Sequence, residues 1–318
     1  MKSEMPSQFE LQSKTELIRS MAIEEGFLLA AFAKAEEMEP EREKLKQWLD
    51  LGYHGTMSYM ENHFEKRTDP TKLVPGAKSI ICLAYNYHTD TKQSDPEAPR
   101  ISTYAYGRDY HKVVKSKMKK LAKRISERFG AFTHRSFVDS APVLERDWAR
   151  RSGLGWAGKN TMIINPLKGS RFFLSEMLVD FELVYDEPIK DYCGTCTRCI
   201  DACPTDSIFE EGYSMDASRC ISYLTIELKD EEIPEEFKGQ MENWVFGCDI
   251  CQDVCPWNRF SERHQEADFE ASDALLSMSR GDWDNMDQES FDELFFGTPV
   301  KRTGFSGLKR NIRFLDEN

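Results

Sequence analysis

Eight cysteines between positions 193 and 255 have the spacing of iron–sulfur ligands. The first four follow the pattern C-x2-C-x2-C-x3-C-P, which ends at Pro204. One isolated cysteine and a C-x2-C-x3-C-P group ending at Pro256 supply the other four. This is the spacing of bacterial ferredoxins, in which the cysteine before the proline ligates the other of two clusters. The chain therefore carries enough thiolates for two complete 4Fe–4S clusters.

The crossed connectivity of two-cluster ferredoxins divides these cysteines into two predicted ligand sets. The first set is Cys193, Cys196, Cys199 and Cys255, and the second set is Cys203, Cys220, Cys248 and Cys251. Structural zinc is the alternative, but its sites show two separated C-x2-C pairs and not three cysteines in close succession. The ninth cysteine, Cys82, lies in an apolar run and is predicted to be a small core residue.

The composition is that of an ordinary globular protein. With 318 residues, 40% of them hydrophobic and 31% charged, the chain can bury one large core or two smaller ones without disulfides. No apolar run is long enough to span a bilayer. Because iron–sulfur clusters are sensitive to oxygen and redox state, we expect a cytoplasmic protein that does not bind membranes.

The formal net charge of −13 argues against general nucleic-acid binding. Two basic segments interrupt the acidic chain: residues 108–128 carry nine lysines and arginines, and residues 301–313 carry five. On charge alone, a solvated helix face is the favoured interpretation of both segments, and a polyanionic partner is the alternative.

Helical and strand patterns alternate over residues 1–185, as expected of an α/β or α+β domain. Cysteine-rich, loop-dominated sequence follows over 186–258, and residues 259–318 have a helical and mostly acidic pattern that ends in a basic tail. These three segments are the predicted domains. Strands are predicted near 27–33, 79–85, 133–139, 161–165 and 172–183, and helices near 40–50, 143–152 and after 111. Ser13 is the predicted cap of the first helix.

The hexapeptide from Gly153 to Gly158 matches the dinucleotide-binding pattern G-x-G-x-x-G. Such a site needs a strand before the glycines and a helix after them. Here a charged helical segment precedes the motif and a strand-like segment follows it, so the context is reversed. We therefore reject nicotinamide binding and expect the glycines to let the backbone approach another ligand.

Asp139 is the strongest acid–base candidate. It follows the apolar pair Phe137-Val138 and precedes Ser-Ala-Pro. A carboxylate at the end of a buried strand can enter a cleft and act as an acid. The same tetrapeptide suits a turn-capping aspartate equally well, and local sequence does not separate the two roles.

Several stretches together resemble the epoxyqueuosine reductase family. They cover most of the chain between about residues 50 and 260, and the combination is more specific than the ferredoxin pattern alone. The matching stretches are Gly55-Thr-Met-Ser-Tyr-Met60, Lys66-Arg-Thr-Asp-Pro70, Tyr104-Ala-Tyr-Gly-Arg-Asp-Tyr-His111, Val138-Asp-Ser-Ala-Pro-Val-Leu-Glu-Arg146, Gly155-Trp-Ala-Gly-Lys-Asn-Thr161, the cysteine block and Cys220-Ile-Ser-Tyr-Leu-Thr-Ile-Glu227.

The resemblance implies an oxidoreductase that converts epoxyqueuosine to queuosine at the wobble position of tRNA. Electrons would pass through two 4Fe–4S clusters to a base-off cobalamin, with Asp139 as proton donor. The cobalamin contacts it implies are Tyr104, Asp139, Asn160, Ser222 and Thr225. The implied fold is α+β, with a nitroreductase-like, cobalamin-binding α/β core, an inserted two-cluster ferredoxin module and a short helical C-terminus.

The implied partners are tRNA carrying epoxyqueuosine and an external electron donor, and we expect a monomer. With RNA as a partner, the basic segments become candidate phosphate contacts. Many relatives continue into helical repeats beyond the point where this sequence ends. The cobalamin pattern D-x-H-x-x-G is also missing, because Asp109-Tyr-His111 lacks the glycine. The alternatives are a corrinoid reductive dehalogenase and a ferredoxin-type electron-transfer protein.

Overall fold

The chain folds around a four-stranded antiparallel sheet. The computed structural model describes residues 7–229 and 232–316. The strands are β1 (Leu29–Lys34), β2 (Ser79–Asn86), β3 (Arg100–Ile101), β4 (His134–Phe137), β5 (Trp156–Ala157), β6 (Ile163–Ile164), β7 (Phe172–Val179) and β8 (Trp244–Phe246). The main sheet has the order β1-β2-β7-β4, and each neighbouring pair is antiparallel.

Twelve α-helices surround and extend this sheet in the described part of the chain. They are α1 (Gln8–Glu24), α2 (Glu39–Asp50), α3 (Phe64–Thr68), α4 (Pro70–Leu73), α5 (Tyr110–Phe129), α6 (Glu145–Arg151), α7 (Arg198–Asp201), α8 (Ile250–Asp253), α9 (Asp273–Ser277), α10 (Arg280–Asp284), α11 (Gln288–Leu294) and α12 (Gly304–Asp316). The prediction of a mixed helix and strand fold is confirmed. None of these helices is both long and apolar enough to cross a membrane, within the residues described.

Both faces of the sheet are covered, and the sequence of strand β2 shows why. Its first seven residues are all buried, so it carries apolar side chains on both sides. Ile81 and Leu83 face α1 and α5, whereas Ile80 and Cys82 face the layer that contains α6. Alternate residues of a strand point to opposite faces, and a strand buried on both faces must therefore be apolar throughout. The prediction that Cys82 is a core residue is confirmed.

The first helix starts earlier than expected. Ser7, and not Ser13, is its N-cap: the Ser7 hydroxyl accepts a hydrogen bond from the Glu10 backbone N–H, and the Glu10 carboxylate accepts one from the Ser7 N–H. This reciprocal arrangement satisfies two donors at once, which Ser13 inside the helix could not do. The prediction of Ser13 as the cap was wrong.

Four of the five predicted strands are shorter than the apolar runs that predict them, and β2 is the exception. Strand β1 begins at Leu29, β4 ends at Phe137 and β7 ends at Val179. Residues beyond these points, such as Val138 and Leu183, are buried in the core but lie outside the sheet. Apolar sequence records burial, whereas a strand also needs a paired neighbour.

The cysteine-rich segment is tied to the first half of the chain by a small parallel ladder. Strand β3 pairs with β8, and Ser102 and Thr103 bond to the buried carboxylate of Asp249. The C-terminal helices pack over this junction, with Trp283 and Leu308 wholly buried among residues of both segments. This packing fixes the cysteine loops relative to the main sheet.

Two carboxyl groups lie together in the covered layer of the sheet. Glu176 of β7 is fully buried opposite Phe137, and neither of its oxygens has a hydrogen-bond partner of ordinary geometry. Burial raises the pKa of Glu176 well above its usual range, and the neighbouring Glu145 adds to the rise. Burial also raises the pKa of Glu145 to about 8, with the charge of Asp139 as the next cause. Two adjacent buried carboxyls cannot both ionise cheaply, so the pair retains protons at neutral pH.

This pair should make the protein less stable as the pH rises. Between the ordinary glutamate value of 4.5 and about 8, the folded chain holds a proton on Glu145 that the unfolded chain releases. The free energy of unfolding therefore falls with pH in this window. We expect Glu145→Gln, which keeps the neutral shape, to reduce that fall, as measured by urea unfolding at pH 5 and pH 8. Glu210→Gln, at an exposed position, is the control. Equal pH slopes in all three proteins would contradict this assignment.

Candidate iron–sulfur centres and active site

The first predicted set of cysteines surrounds one cavity. Four thiols line a space of about 240 Å³, and the lining cysteines are Cys193, Cys196, Cys199 and Cys255. Burial raises the pKa of Cys199 to about 11, and the thiols of Cys193 and Cys255 add to the rise. The indole N–H of Trp156 donates a hydrogen bond to Cys193 Sγ over 3.4 Å. A thiolate that binds iron can still accept such a hydrogen bond. Although Cys255 is distant in sequence, the fold brings it to the other three.

The second predicted set lies next to the first. Burial raises the pKa of the Cys251 thiol far above its usual value, and the thiols of Cys220 and Cys203 add to the rise. For Cys248, burial again comes first and Cys251 and Cys220 follow. Cys199 of the first set also contributes to the shift at Cys251. The two groups of four are therefore neighbours, as transfer of electrons between two clusters requires.

Each predicted set offers four thiols and no other type of ligand. Among residues 7–229 and 232–316, no three His, Cys, Asp or Glu side chains are grouped closely enough to hold a single metal ion. In a 4Fe–4S cluster each cysteine binds a different iron, so the sulfurs of one set are spread around the cluster. The all-thiol donor sets fit that group.

Asp139 lies in a left-handed backbone conformation near the start of the loop that joins β4 to α6. Its φ is +46°, which costs most side chains about 1–2 kcal/mol. Two contacts hold it there. The Tyr110 hydroxyl donates to Asp139 Oδ2, and the Asp139 backbone N–H donates to Glu145 Oε1 over 2.6 Å. The carboxyl itself is about half exposed, which leaves it accessible to a substrate.

A histidine lies beside this carboxyl. His111 Nε2 is 3.8 Å from Asp139 Oδ2, and its Nδ1 lies 2.8 Å from Asp109 Oδ1. The ring stacks on Tyr110, which in turn stacks on Phe173 of β7 with an angle of only 3° between the planes. The aromatic stack fixes both Tyr110 and His111 against the sheet, and through Tyr110 it fixes Asp139.

The four other predicted cofactor contacts fall into two groups. The ring of Tyr104 packs 6.0 Å from that of Tyr110, and burial followed by the charge of Asp139 raises the pKa of Tyr104 far above its usual value. Ser222 precedes a π-helix from Tyr223 to Glu227, a rare element that often marks functional sites. Within the described residues, the hydroxyls of Tyr104 and Ser222 form no hydrogen bond, so both are available to a ligand.

Asn160 and Thr225 have their polar groups engaged inside the protein. The Asn160 amide donates to the Cys251 carbonyl over 3.2 Å. The Thr225 hydroxyl donates to the Ile221 carbonyl and accepts from the Gly247 N–H. Through these bonds, Asn160 contacts the loop that carries Cys251, and Thr225 links the segments around Ile221 and Gly247.

Sequence reasoning missed Tyr110, His111 and Glu145 as parts of the site. Tyr110 and His111 stand in a quoted motif, but their relation to Asp139 needs the packing of α5 against the sheet. Glu145 also stands in a quoted motif, Val138 to Arg146, and it lies in the first turn of α6, but its contact with the Asp139 backbone needs the folded loop.

The glycines of the rejected dinucleotide motif serve the packing of a hairpin. A side chain at Gly155 would clash with Ile163 and the Ile164 carbonyl, and one at Gly158 would clash with Ile164 and Asn160. The expectation that these glycines admit a ligand was therefore wrong, because it is strand β6 of the same chain that approaches them. The rejection of nicotinamide binding rested on a helix before the motif and a strand after it, and the structure has α6 before and β6 after.

The two basic segments differ in how much charge they leave free. In the C-terminal segment, Arg310 is buried and donates to the Leu224 and Leu228 carbonyls, and Arg302 pairs with Glu227 at 2.7 Å. Arg310 therefore cannot reach a phosphate, which corrects the expectation for that segment. In α5, six basic residues stay exposed: Lys112, Lys115, Lys119, Lys120, Lys123 and Arg128.

The cysteine sets predict a defined iron content. The purified, anaerobically reconstituted protein should contain about eight irons and eight sulfides per chain, four of each per cluster. Cys255→Ser and Cys203→Ser should each disturb one cluster only, and the two variants should lose different electron paramagnetic resonance signals. Cys82→Ser is the control, because this buried cysteine lies in neither set. Stoichiometric zinc without iron would contradict the assignment.

Comparison with known proteins gives a consistent result. A family model described as epoxyqueuosine reductase QueG, DUF1730 matches residues 67–140, and a 4Fe–4S double cluster binding domain matches residues 192–258. An epoxyqueuosine reductase of Cyclobacterium marinum is 50% identical over 307 residues, which are 96% of this chain and 97% of the relative. One from Leadbetterella byssophila is 52% identical over 300 residues, 94% of this chain and 97% of the relative.

A solved structure extends the likeness to three dimensions. It is described as an epoxyqueuosine reductase with an epoxyqueuosine-modified tRNA-Tyr stem loop, and it superposes with a TM-score of 0.83 at 30% identity. The match covers 94% of this chain and 80% of that chain. With relatives near 50% identity over almost their full length, and with the double-cluster domain in place, the chain belongs to the epoxyqueuosine reductase family of oxidoreductases.

Proposed function

We propose that this chain removes the epoxide oxygen of epoxyqueuosine at the wobble position of tRNA and leaves queuosine. The observation that carries the proposal is the combination of two neighbouring sets of four thiols with the supported Asp139 carboxyl in a chain of this family. The reaction consumes two electrons and two protons and releases water. An electron path and an acid are the two features that such a reaction needs from the protein.

The clusters are proposed to be held by the two crossed sets of cysteines. Residues 186–258 would then form the ferredoxin-like domain between a catalytic domain, residues 1–185, and a helical segment, residues 259–318. Cobalamin would be held by Tyr104, Ser222 and Asp139, since two of these offer unpaired hydroxyls and the third an accessible carboxyl. Asn160 and Thr225 would then support the loops around it. When bound, cobalamin supplies a low-potential metal centre capable of breaking a C–O bond. We also propose that the core of the catalytic domain is nitroreductase-like.

Asp139 is proposed as the general acid. A departing epoxide oxygen develops negative charge, and a carboxylic acid within hydrogen-bond reach can neutralise it. Tyr110 orients the carboxyl through its hydroxyl, and Glu145 fixes the backbone of the same residue.

The proposal is tested by converting tRNA. Epoxyqueuosine tRNA is incubated with reconstituted protein, cobalamin and dithionite, and its nucleosides are analysed by mass spectrometry. Queuosine should appear only when all components are present. Asp139→Asn should lower turnover by about 10²–10⁴-fold while both clusters and cobalamin still bind, because the amide cannot give up a proton.

Other outcomes separate the alternatives. Loss of folding or of cobalamin in Asp139→Asn would identify this residue as a structural turn cap. Full activity would remove it from the mechanism. Clusters that assemble in the wild-type protein without cobalamin binding or product would favour a ferredoxin-type electron carrier.

Helix α5 is proposed as part of the tRNA surface. Its exposed lysines at 112, 115, 119 and 123 recur every three or four residues, so they form one stripe that starts beside the Tyr110–Asp139 contact. A phosphate backbone that leads to a wobble nucleotide at Asp139 would pass close to this stripe. The exposed charges of α5 replace the C-terminal segment as the main candidates.

Charge reversal tests this surface. Lys112→Glu combined with Lys115→Glu and Lys119→Glu should weaken tRNA binding and lower the slope of log affinity against log salt by about one per lost phosphate contact. Lys44→Glu, on the exposed part of α2, is the control. If the triple variant binds tRNA with the affinity and the salt slope of the wild type, α5 is not the contact surface.

A further inference from the structure

The reaction needs electrons that the chain does not make. Each turnover consumes two, and they must enter at a point that an external reductant can reach. We propose that an acidic one-electron carrier protein docks on the surface around the cavity formed by the first cysteine set, which we call the donor surface. The inference rests on the proposed function only in requiring an outside source of electrons.

The first cysteine set is the one that opens to the surface. Its four thiols line the 240 Å³ cavity, and Cys255 also lines an adjoining open groove of about 560 Å³. No member of the second set lines either space. An electron that arrives through this cavity therefore reaches the first set.

The rim of the cavity is positively charged. Of the charged side chains that line it, three are cations and none is a carboxylate: Lys159, Arg198 and Arg259. Arg198 and Arg259 are exposed, and neither pairs with a carboxylate in the described part of the chain. The Lys159 ammonium donates to the Gly194 carbonyl over 2.9 Å, which leaves its charge uncompensated. In a chain of net charge −13, this local excess stands out.

Acidic side chains also lie close to this surface, and one of them pairs with a cation. In the adjoining groove, Asp253 pairs with Arg171, and Asp90 lies 3.5 Å from His88. Asp191, next to the first set, accepts hydrogen bonds from the Tyr213 hydroxyl and the Cys193 N–H. Arg198 and Arg259 have no carboxylate partner among the described residues, so their charges are free to attract an acidic protein and speed its encounter.

Aromatic rings surround the same cavity. Tyr192 is 43% exposed, and it packs against Trp156 and Trp257 with centroids 5.2 and 5.8 Å apart. An exposed aromatic side chain inside a charged rim is a frequent feature of protein–protein contacts. It offers a short-range contact after charge has brought the partner close.

The electron balance fits two successive encounters. Two reduced carriers each lose one electron and leave oxidised, and the two clusters of the chain store these electrons. The epoxide then takes two electrons and two protons, and an alkene and water form. The carrier class is a small acidic protein with a flavin or an iron–sulfur cluster.

The test measures reduction of the clusters and not product. Reduced plant-type 2Fe–2S ferredoxin, an acidic carrier, is mixed with the reconstituted protein in a stopped-flow instrument, and cluster bleaching is followed. The second-order rate constant should fall by roughly tenfold or more as salt rises from low to high concentration. Arg198→Glu with Arg259→Glu should cause a fall of similar order at low salt, and Arg198→Gln with Arg259→Gln an intermediate one.

Reduction by dithionite and a control variant make the result specific. Dithionite should still reduce both clusters of the variants and still support conversion of tRNA, which separates failure of the donor surface from failure of the proposed function. Lys44→Glu with Lys46→Glu, at exposed positions of α2, should leave the ferredoxin rate unchanged. The inference is overturned if the wild-type rate does not fall with salt, or if both pairs of variants with intact clusters are reduced by ferredoxin as fast as the wild type.

Discussion

The meeting of two distant cysteine segments is the constraint on which the candidate site depends. Cys255 has to reach Cys193, Cys196 and Cys199, and Cys203 has to reach the group after position 220. The chain between them must therefore go out and return, and the π-helix from Tyr223 to Glu227 lies on that return path. Asp249, between two of the cysteines, then bonds to Ser102 and Thr103. These bonds hold the thiols against the segment that carries Tyr104 and leads into α5.

The proposed proton donor depends on carboxyl groups that are buried in the protonated, neutral form. Glu176 sits within the covered layer of the sheet, where an isolated carboxylate would be very costly. Its neighbour Glu145 accepts a hydrogen bond from the Asp139 backbone N–H. Buried carboxyls beneath a strained aspartate are expensive for stability, and their position under the proposed proton donor is the physical reason to regard that cost as functional.

Chemistry encoded in short spacings could be predicted from the sequence. The ferredoxin spacing of the cysteines and the burial of Cys82 follow from short runs of sequence, and the division into two crossed sets is a prediction from that spacing. Contacts that need tertiary structure could not be predicted: Glu145 and Glu176 are 31 positions apart and meet through the position of α6 on the sheet. Arg310 was misjudged for a similar reason, because a basic residue in a charged tail normally faces water, whereas here it satisfies two backbone carbonyls in the core. Ser7 and Ser13 each have a glutamate three residues later, Glu10 and Glu16, so this pattern does not separate them; the helix already begins at Gln8, and Ser13 lies inside it.

The central claim is that the chain's own clusters supply both electrons to a reaction at Asp139. It is tested most directly by a single turnover. The protein loaded with clusters and cobalamin is reduced, separated from all reductant, and mixed with epoxyqueuosine tRNA stem loop; samples frozen over time are divided between paramagnetic resonance and nucleoside mass spectrometry. The account predicts close to one queuosine per fully reduced protein, formed at the rate at which both cluster signals are lost. Product without loss of the cluster signals, or loss of the signals without product, would contradict it.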